Sequence, residues 1–188
     1  MTQDTRSVIL EKAEFLIRTR GYSAFSYADL AEHAQITKAS VHYHFATKAD
    51  LIVVLVDAYM ERFVSALAQI RAQHGTAPGR LRNYANLFLA GFEKGMLPLC
   101  GALSAERSAL PEVMHTTVHD FFQTHIDWLE SVLNEGVAAG DLRADLTVES
   151  TALLLLSTLE GGSFVGWALK KTEPVLAAFE AALRTIQT

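Results

Sequence analysis

The sequence predicts an all-α protein of about nine helices, with a three-helix helix-turn-helix head at the N-terminus and a larger helical body. Apolar residues recur at three- and four-residue spacing along most of the 188 residues, whereas no segment shows the alternation typical of a strand. Glycine, proline and capping residues separate these segments at short intervals. Half of the residues are apolar, which is enough to build a core in a chain of this length.

The first helix is expected from about Thr5 to Arg20, where Gly21 ends it. The second begins at Ser26, because Ser26 and Asp29 have the spacing of a capping box. The apolar stripe of the first helix consists of Ile9, Ala13, Leu16 and Ile17.

A short turn over residues 34–36 separates the second helix from a third, which Thr37 caps and which extends to about His44. Thr47 and Asp50 repeat the capping-box pattern and open a long fourth helix that ends near Gln73. The body is expected to contain five further helices, at about residues 80–94, 102–108, 111–139, 147–169 and 173–186. The sequence therefore predicts two domains, a helix-turn-helix head over residues 1–47 and a helical body over residues 48–188.

Charge and cysteine content limit the possible classes of protein. The net charge is −5, but residues 1–50 carry six acidic and six basic side chains, so residues 51–188 carry the whole excess. A neutral head can still bind DNA if its bases share one face. The chain has one cysteine, Cys100, and therefore no internal disulfide. No apolar run approaches the ~20 residues that a membrane span needs. We therefore expect a cytoplasmic protein without a membrane partner.

Residues 27–34 and 38–44 have the lengths and spacing of a helix-turn-helix, the second helix of which enters a DNA major groove. Short side chains at the start of that helix suit a groove about 12 Å wide, and later donors can reach bases or phosphates. Lys48 lies at the N-terminus of the next helix, where a phosphate is favoured. The alternative is a helical hairpin whose polar residues only face solvent. The candidate DNA-binding residues are Thr37, Lys38, Ala39, Ser40, His42, Tyr43, His44 and Lys48.

The segment Tyr27-Ala-Asp-Leu-Ala-Glu-His-Ala-Gln-Ile-Thr-Lys-Ala-Ser-Val-His-Tyr-His-Phe-Ala-Thr-Lys-Ala-Asp-Leu51 resembles the DNA-binding signature of the TetR family of repressors. The preceding Arg20-Gly21-Tyr22 also matches that pattern. The resemblance implies a homodimeric regulator, without a cofactor or enzymatic activity, that a small-molecule effector releases from double-stranded, palindromic operator DNA.

Two residues depart from the family pattern. Gln35 stands where the family usually has a turn glycine, so it either adopts a positive φ or bends the turn differently. His42 stands where the family usually has a phosphate-binding tyrosine, although histidine can also donate to a phosphate. These departures affect the expected base preference and not DNA binding itself.

The resemblance also implies a four-helix dimer interface built from the last two helices of each chain. Gly162 and Gly166 are four residues apart on one helix face, where small residues permit close approach of a partner helix. The alternative is a kink at the glycines. The interface candidates are Leu155, Leu159, Gly162, Gly166 and Phe179.

The family's ligand cavity lies between the middle helices of the body, where this chain is rich in aromatic residues. Such residues suit an apolar or partly aromatic effector, although each one also suits a simple core position. The pocket candidates are Tyr84, Phe88, Phe92, Cys100, Leu103, Phe121, Phe122, His125 and Trp128.

Three other functions remain open. Cys100, placed just before a predicted short helix, could be a reactive thiol of a redox- or electrophile-sensing regulator, or a small buried hydrophobe. His115 and His119 have the i, i+4 spacing of metal ligands, but two histidines do not complete a site, and no metal is predicted. A helical ligand-binding protein or enzyme without DNA binding is the other alternative, although the sequence has no nucleotide-binding loop.

Overall fold

The computed structural model describes residues 4–188 and confirms the all-α fold class. Within those residues there are nine α-helices and one 3-10 turn, and the only β-type pairing is an isolated bridge between Leu142 and Gln187. The helices are α1 (Thr5–Arg20), α2 (Tyr27–Ala34), α3 (Lys38–His44), α4 (Lys48–Gln73), α5 (Ala77–Phe92), α6 (Leu99–Ala105), α7 (Glu112–Ala139), α8 (Val148–Leu169) and α9 (Glu173–Ile186).

The capping residues fix the helix ends of the N-terminal region as predicted. Gly21 follows α1 with φ of 97°, a backbone conformation that favours glycine. Ser26 and Asp29 form a complete capping box at the start of α2. Thr47 and Asp50 exchange the same pair of hydrogen bonds, of 3.0 and 3.1 Å, at the start of α4.

Two helices begin earlier than the sequence predicted. The α5 helix starts at Ala77 because the Thr76 hydroxyl accepts a hydrogen bond from the Gly79 N–H, and Pro78 fits its first turn. The α6 helix starts at Leu99, directly after Pro98, so Cys100 lies inside the helix and not before it. A 3-10 turn at Arg107–Ala109 follows α6.

The chain divides into two compact units at residues that differ from the expected boundary at 47/48. The first unit extends to Arg62 and also includes Leu99–Asp120, so it contains α1 to α3 and α6 with parts of α4 and α7. The second unit consists of Phe63–Pro98 and Phe121–Thr188. The core of the first unit combines apolar residues from all of these helices, among them Ile9, Leu16, Leu30, Val41, Leu51, Leu103 and Met114.

In the second unit, α8 packs along α9. By length and composition α8 could cross a membrane, contrary to the expectation that no segment would qualify. One face of the helix is nevertheless buried against its neighbours, as in a core helix, so packing accounts for part of its apolar composition.

The structure contradicts the assignment of the five interface candidates to a dimer surface, because all five are buried within one protomer. A Cβ atom at Gly162 would lie 2.6 Å from the carbonyl oxygen of Pro174, and one at Gly166 would lie 2.6 Å from that of Lys171. The small residues therefore permit the close approach of α9 of the same chain. The candidates concerned are Leu155, Leu159, Gly162, Gly166 and Phe179.

Candidate functional site

The α3 helix presents a polar face to solvent and buries a single residue, Val41, in the core of the first unit. Tyr43 is the most prominent side chain of that face, with 86% of its surface exposed. His44 and Ser40 are partly buried at its edges. The exposed residues are Thr37, Lys38, Ala39, His42 and Tyr43, five of the eight candidates for DNA binding.

Contacts at both ends hold this short helix in place. The Thr37 hydroxyl accepts a 3.1 Å hydrogen bond from the Ser40 N–H at the start of the helix. At its end, the buried Tyr27 hydroxyl donates a 3.2 Å hydrogen bond to the Phe45 carbonyl, and the Tyr27 ring packs edge-on against His42. Burial, with a smaller contribution from Asp50, raises the pKa of Tyr27 to about 12 and keeps the phenol a donor.

The turn between α2 and α3 forms without the usual glycine. Gln35 adopts the left-handed conformation, with φ of 54° and ψ of 41°. The following Ile36 N–H bonds to the Ala31 carbonyl at 3.0 Å, which closes the end of α2. Of the two outcomes expected for Gln35, the structure therefore shows the positive φ, and the two helices keep the helix-turn-helix arrangement.

Lys48 lies in a cage formed by the α1–α2 loop and does not point freely outward. Its ammonium group donates to the carbonyl oxygens of Tyr22 and Phe25, the latter at 2.5 Å. The same Nζ atom lies 4.4 and 3.9 Å from the ring centroids of these two residues. Burial lowers the pKa of Lys48, and the nearby Glu106 opposes that effect. In this structure Lys48 therefore holds the α1–α2 loop, and its contact with a DNA phosphate stays a prediction.

Glu106, which the sequence did not indicate, completes this arrangement. Its carboxylate accepts a 2.9 Å hydrogen bond from the backbone N–H of Ser23. Any side chain at Gly21 would collide with the same carboxylate. Glu106 directly follows α6 and is far along the sequence from the loop that it contacts, so no local pattern could reveal the pairing.

A cluster of aromatic rings in the second unit contains most of the effector-site candidates. His125, on α7, lies at its centre, and its Nδ1 atom shares a 2.5 Å hydrogen bond with the hydroxyl of Tyr84. Phe63 stacks on the imidazole with the ring centroids 4.2 Å apart, and Trp128 stacks on Tyr84 at 5.2 Å. Further rings within 6.4 Å of His125 belong to Phe88, Phe121 and Phe122.

The other three effector-site candidates lie outside this aromatic cluster. Phe92 lies beside α8, where a Cβ atom added at Gly166 would be 3.1 Å from its ring. Cys100 and Leu103 belong to the first unit and are fully buried, and Leu103 is part of its core. Because Cys100 has no exposed surface, the structure does not support its interpretation as an accessible redox-sensing thiol.

The two histidines considered as metal ligands have protein partners. A ring nitrogen of His115 lies 3.0 Å from the Arg107 carbonyl, and one of His119 lies 3.0 Å from Asp120. No group of three or more potential metal-ligating side chains occurs among residues 4–188.

Comparison with known proteins identifies both parts of the chain. Residues 9–55 match a family model described as bacterial regulatory proteins, tetR family, and residues 77–182 match one described as tetracyclin repressor-like, C-terminal domain. The HTH-type transcriptional repressor DhaR of Mycobacterium sp. (strain GP1) is 24% identical over 95% of this chain and 92% of its own.

Solved structures have the same fold over nearly the whole chain. A TetR-family transcriptional regulator from Agrobacterium tumefaciens is 28% identical, with a TM-score of 0.93 and 98% of both chains covered. A TetR transcriptional regulator from Legionella pneumophila is 26% identical, with a TM-score of 0.88 and 100% of both chains covered.

Proposed function

The chain belongs to the TetR family of bacterial regulatory proteins, and from that premise we propose that it is a homodimeric repressor whose α3 helices bind a palindromic operator. The family consists of DNA-binding transcriptional regulators, not enzymes, and its members are typically dimeric and cytoplasmic. The observation that carries the proposal is the exposed polar face of α3, held by contacts at both ends of the helix.

The residues of this face differ in the part of the DNA that they can contact. Lys38, Ser40 and His42 lie where the first turns of a recognition helix approach base edges, and Tyr43 and His44 lie further along, where they can donate to phosphates. Thr37 caps the helix and presents its exposed side chain beside Lys38. Lys48 supports this face indirectly, because its cage fixes the loop that precedes α2.

We assign the contact with the second protomer of the dimer to the outer face of α8. Leu153 and Val165 are each 51% exposed, and Leu154 and Phe164 are also exposed apolar residues. At helical spacing these residues share one face with Gly161, around which the protomer leaves open space. A contiguous apolar surface of this kind suits an isologous helix–helix contact across a two-fold axis. Two α3 helices related in this way bind half-sites about 34–36 Å apart or at a multiple of that distance.

The effector site is assigned to the aromatic cluster around His125, with α4 as the element that transmits the signal. The α4 helix supplies Lys48 to the first unit and Phe63, which stacks on His125, to the second. A ligand that displaces Phe63 therefore acts on the same helix that fixes the α1–α2 loop. Release of DNA requires that the ligand bind the DNA-incompetent conformation more tightly, and a coupling of about 1–3 kcal/mol is typical.

The proposed function is tested by selecting bound sequences from a random pool of duplex DNA with the purified wild-type protein. We expect enrichment of an inverted repeat, with each half-site protected on one face of the duplex. Recovery of sequences without a shared motif would contradict the proposal and favour a ligand-binding protein that does not act on DNA.

A further inference from the structure

The aromatic cluster of the second unit contains two unpaired polar atoms. The Nε2 atom of His125 and the Nε1 atom of Trp128 are shielded from solvent and have no hydrogen-bond partner among the described residues. Both residues are on α7 three positions apart, so their side chains share one helix face. Both residues also contact Tyr84. The Nδ1 atom of His125 shares a hydrogen bond with the Tyr84 hydroxyl, and the ring of Trp128 stacks on the Tyr84 ring.

Such atoms are uncommon, since buried polar groups in folded proteins are nearly always hydrogen-bonded. Leaving a buried donor unsatisfied destabilises a protein, and the surrounding rings offer these atoms nothing to bond. His125 is only 2% exposed, and rings of Phe63, Phe88 and Phe121 surround it. The pair is therefore arranged for a group that the protein itself does not supply.

We propose that the effector is a neutral aromatic molecule with an oxygen acceptor, such as an aryl ketone, which accepts a hydrogen bond from Trp128 Nε1–H and packs among these rings. The identification of this ligand as the effector rests on the proposed function, whereas the ligand's binding chemistry does not. The indole N–H can only donate, so the ligand must accept. The Nε2 atom of His125 donates or accepts according to its tautomer, and thus accommodates either a second acceptor or a hydroxyl.

The preference for a neutral ligand follows from the surroundings of the pair. The aromatic rings provide no charge, and burial lowers the pKa of His125 to about 3, so the imidazole is neutral at physiological pH. A carboxylate placed here would lose its hydration without gaining a cation in return from His125.

Three probes of similar shape separate these contributions: benzophenone, diphenylmethane and diphenylacetate. Benzophenone differs from diphenylmethane by the acceptor oxygen, and diphenylacetate adds a negative charge. By calorimetry we expect benzophenone to bind the wild-type protein about tenfold or more tightly than diphenylmethane, with diphenylacetate also weaker. At saturation, the indole N–H resonance of Trp128 should move downfield with benzophenone, as on formation of a hydrogen bond, and should not move downfield with diphenylmethane.

Trp128→Phe keeps an aromatic ring and removes the donor, so the two neutral probes should bind this variant about equally. Trp167→Phe is the matched control, because Trp167 is a partly exposed residue of α8, and this variant should keep the preference for the ketone. If Trp128→Phe does not fold, the resonance shift in the wild-type protein decides whether the indole N–H of Trp128 bonds to the ketone oxygen.

Failure to bind benzophenone, equal binding of the two neutral probes, or tighter binding of diphenylacetate would each overturn the proposal. The same preparations are tested for binding to the selected DNA. Loss of the ketone preference with intact DNA binding would refute only the ligand assignment. A ketone preference in a protein that binds no specific DNA would instead refute the proposed function.

Discussion

The carboxylate of Glu106, at the end of α6, accepts a 2.9 Å hydrogen bond from the backbone N–H of Ser23, in the loop between α1 and α2. Partial burial raises the pKa of Glu106, but the hydrogen bonds from this loop and the charge of Lys48 outweigh burial, so the net shift is downward. Lys48 holds the other side of the same loop through two carbonyl oxygens. Lys48 of α4 and Glu106, which directly follows α6, thus fix the segment that leads into the helix-turn-helix.

Replacing Glu106 with alanine should lower the free energy of unfolding by about 1–2 kcal/mol, because the Ser23 N–H loses its hydrogen bond and Lys48 loses a nearby negative charge. Operator affinity should also decrease, since the loop that orients α2 is released. Chemical denaturation and fluorescence anisotropy measure the two effects. Glu61→Ala, at an exposed carboxylate within α4 and in the same unit, should change neither quantity. Wild-type stability and affinity in Glu106→Ala would show that this contact does not support the loop.

Lys38 and Lys48 should respond differently to salt. Lys38→Ala should reduce the slope of the logarithm of affinity against the logarithm of salt concentration by about one, because an exposed cation that enters the groove to reach base edges also displaces a counterion from the DNA. Lys48→Ala should weaken binding to all sequences and lower the thermal midpoint with a smaller change in slope, because its ammonium group is occupied by Tyr22 and Phe25. If Lys48→Ala reduced the salt slope by a full unit, Lys48 would instead contact a DNA phosphate directly.

Glu160 should make the stability of the protein depend on pH. Burial raises its pKa from 4.5 to about 7, and its Oε2 atom has no hydrogen-bond partner among the described residues. Because the folded state holds the proton more tightly, this group's stabilising contribution is complete below pH 4.5 and is lost as the pH rises to about 7. The loss is at most about 3–4 kcal/mol.

Glu160→Gln should remove this decrease, which denaturation at pH 5 and pH 8, at one protein concentration, would measure. Glu149→Gln, at an exposed carboxylate of the same helix, should keep the wild-type profile. A Glu160→Gln profile parallel to that of the wild type would mean that Glu160 is ionised in the folded protein throughout this range.

The dimer surface is tested by placing a charge on it. Val165→Asp should shift the wild-type dimer toward monomer in analytical ultracentrifugation at micromolar concentration, because a carboxylate would be buried in an apolar contact. Val113→Asp, at an exposed apolar residue of the first unit, should remain dimeric. A monomeric wild-type protein would refute the dimer, and a dimeric Val165→Asp would place the contact elsewhere.

Local patterns predicted the helix-turn-helix well because its signals lie within a few residues of one another. Ser26 with Asp29, and Thr47 with Asp50, mark helix starts through hydrogen bonds between near neighbours. The exposed residues of α3 follow in the same way from the burial of Val41.

Contacts between distant residues could not be predicted in this way. Nothing near Lys48 in the sequence shows that its ammonium group is enclosed by Tyr22 and Phe25. The spacing of Gly162 and Gly166 correctly indicated close helix packing, but spacing does not reveal whether the neighbouring helix belongs to the same chain. The pairing of Tyr84 with His125 likewise depends on how α5 and α7 pack.

In the proposed function, the exposed face of α3 recognises a specific DNA sequence. The most direct test compares affinity for the selected duplex with affinity for a scrambled duplex of the same composition, at fixed salt. The wild-type protein should prefer the selected duplex roughly a thousandfold or more. A variant with Lys38, His42 and Tyr43 all replaced by alanine, and with unchanged helix content, should show a ratio near one. A wild-type ratio near one, or a variant that keeps the wild-type preference, would contradict the account.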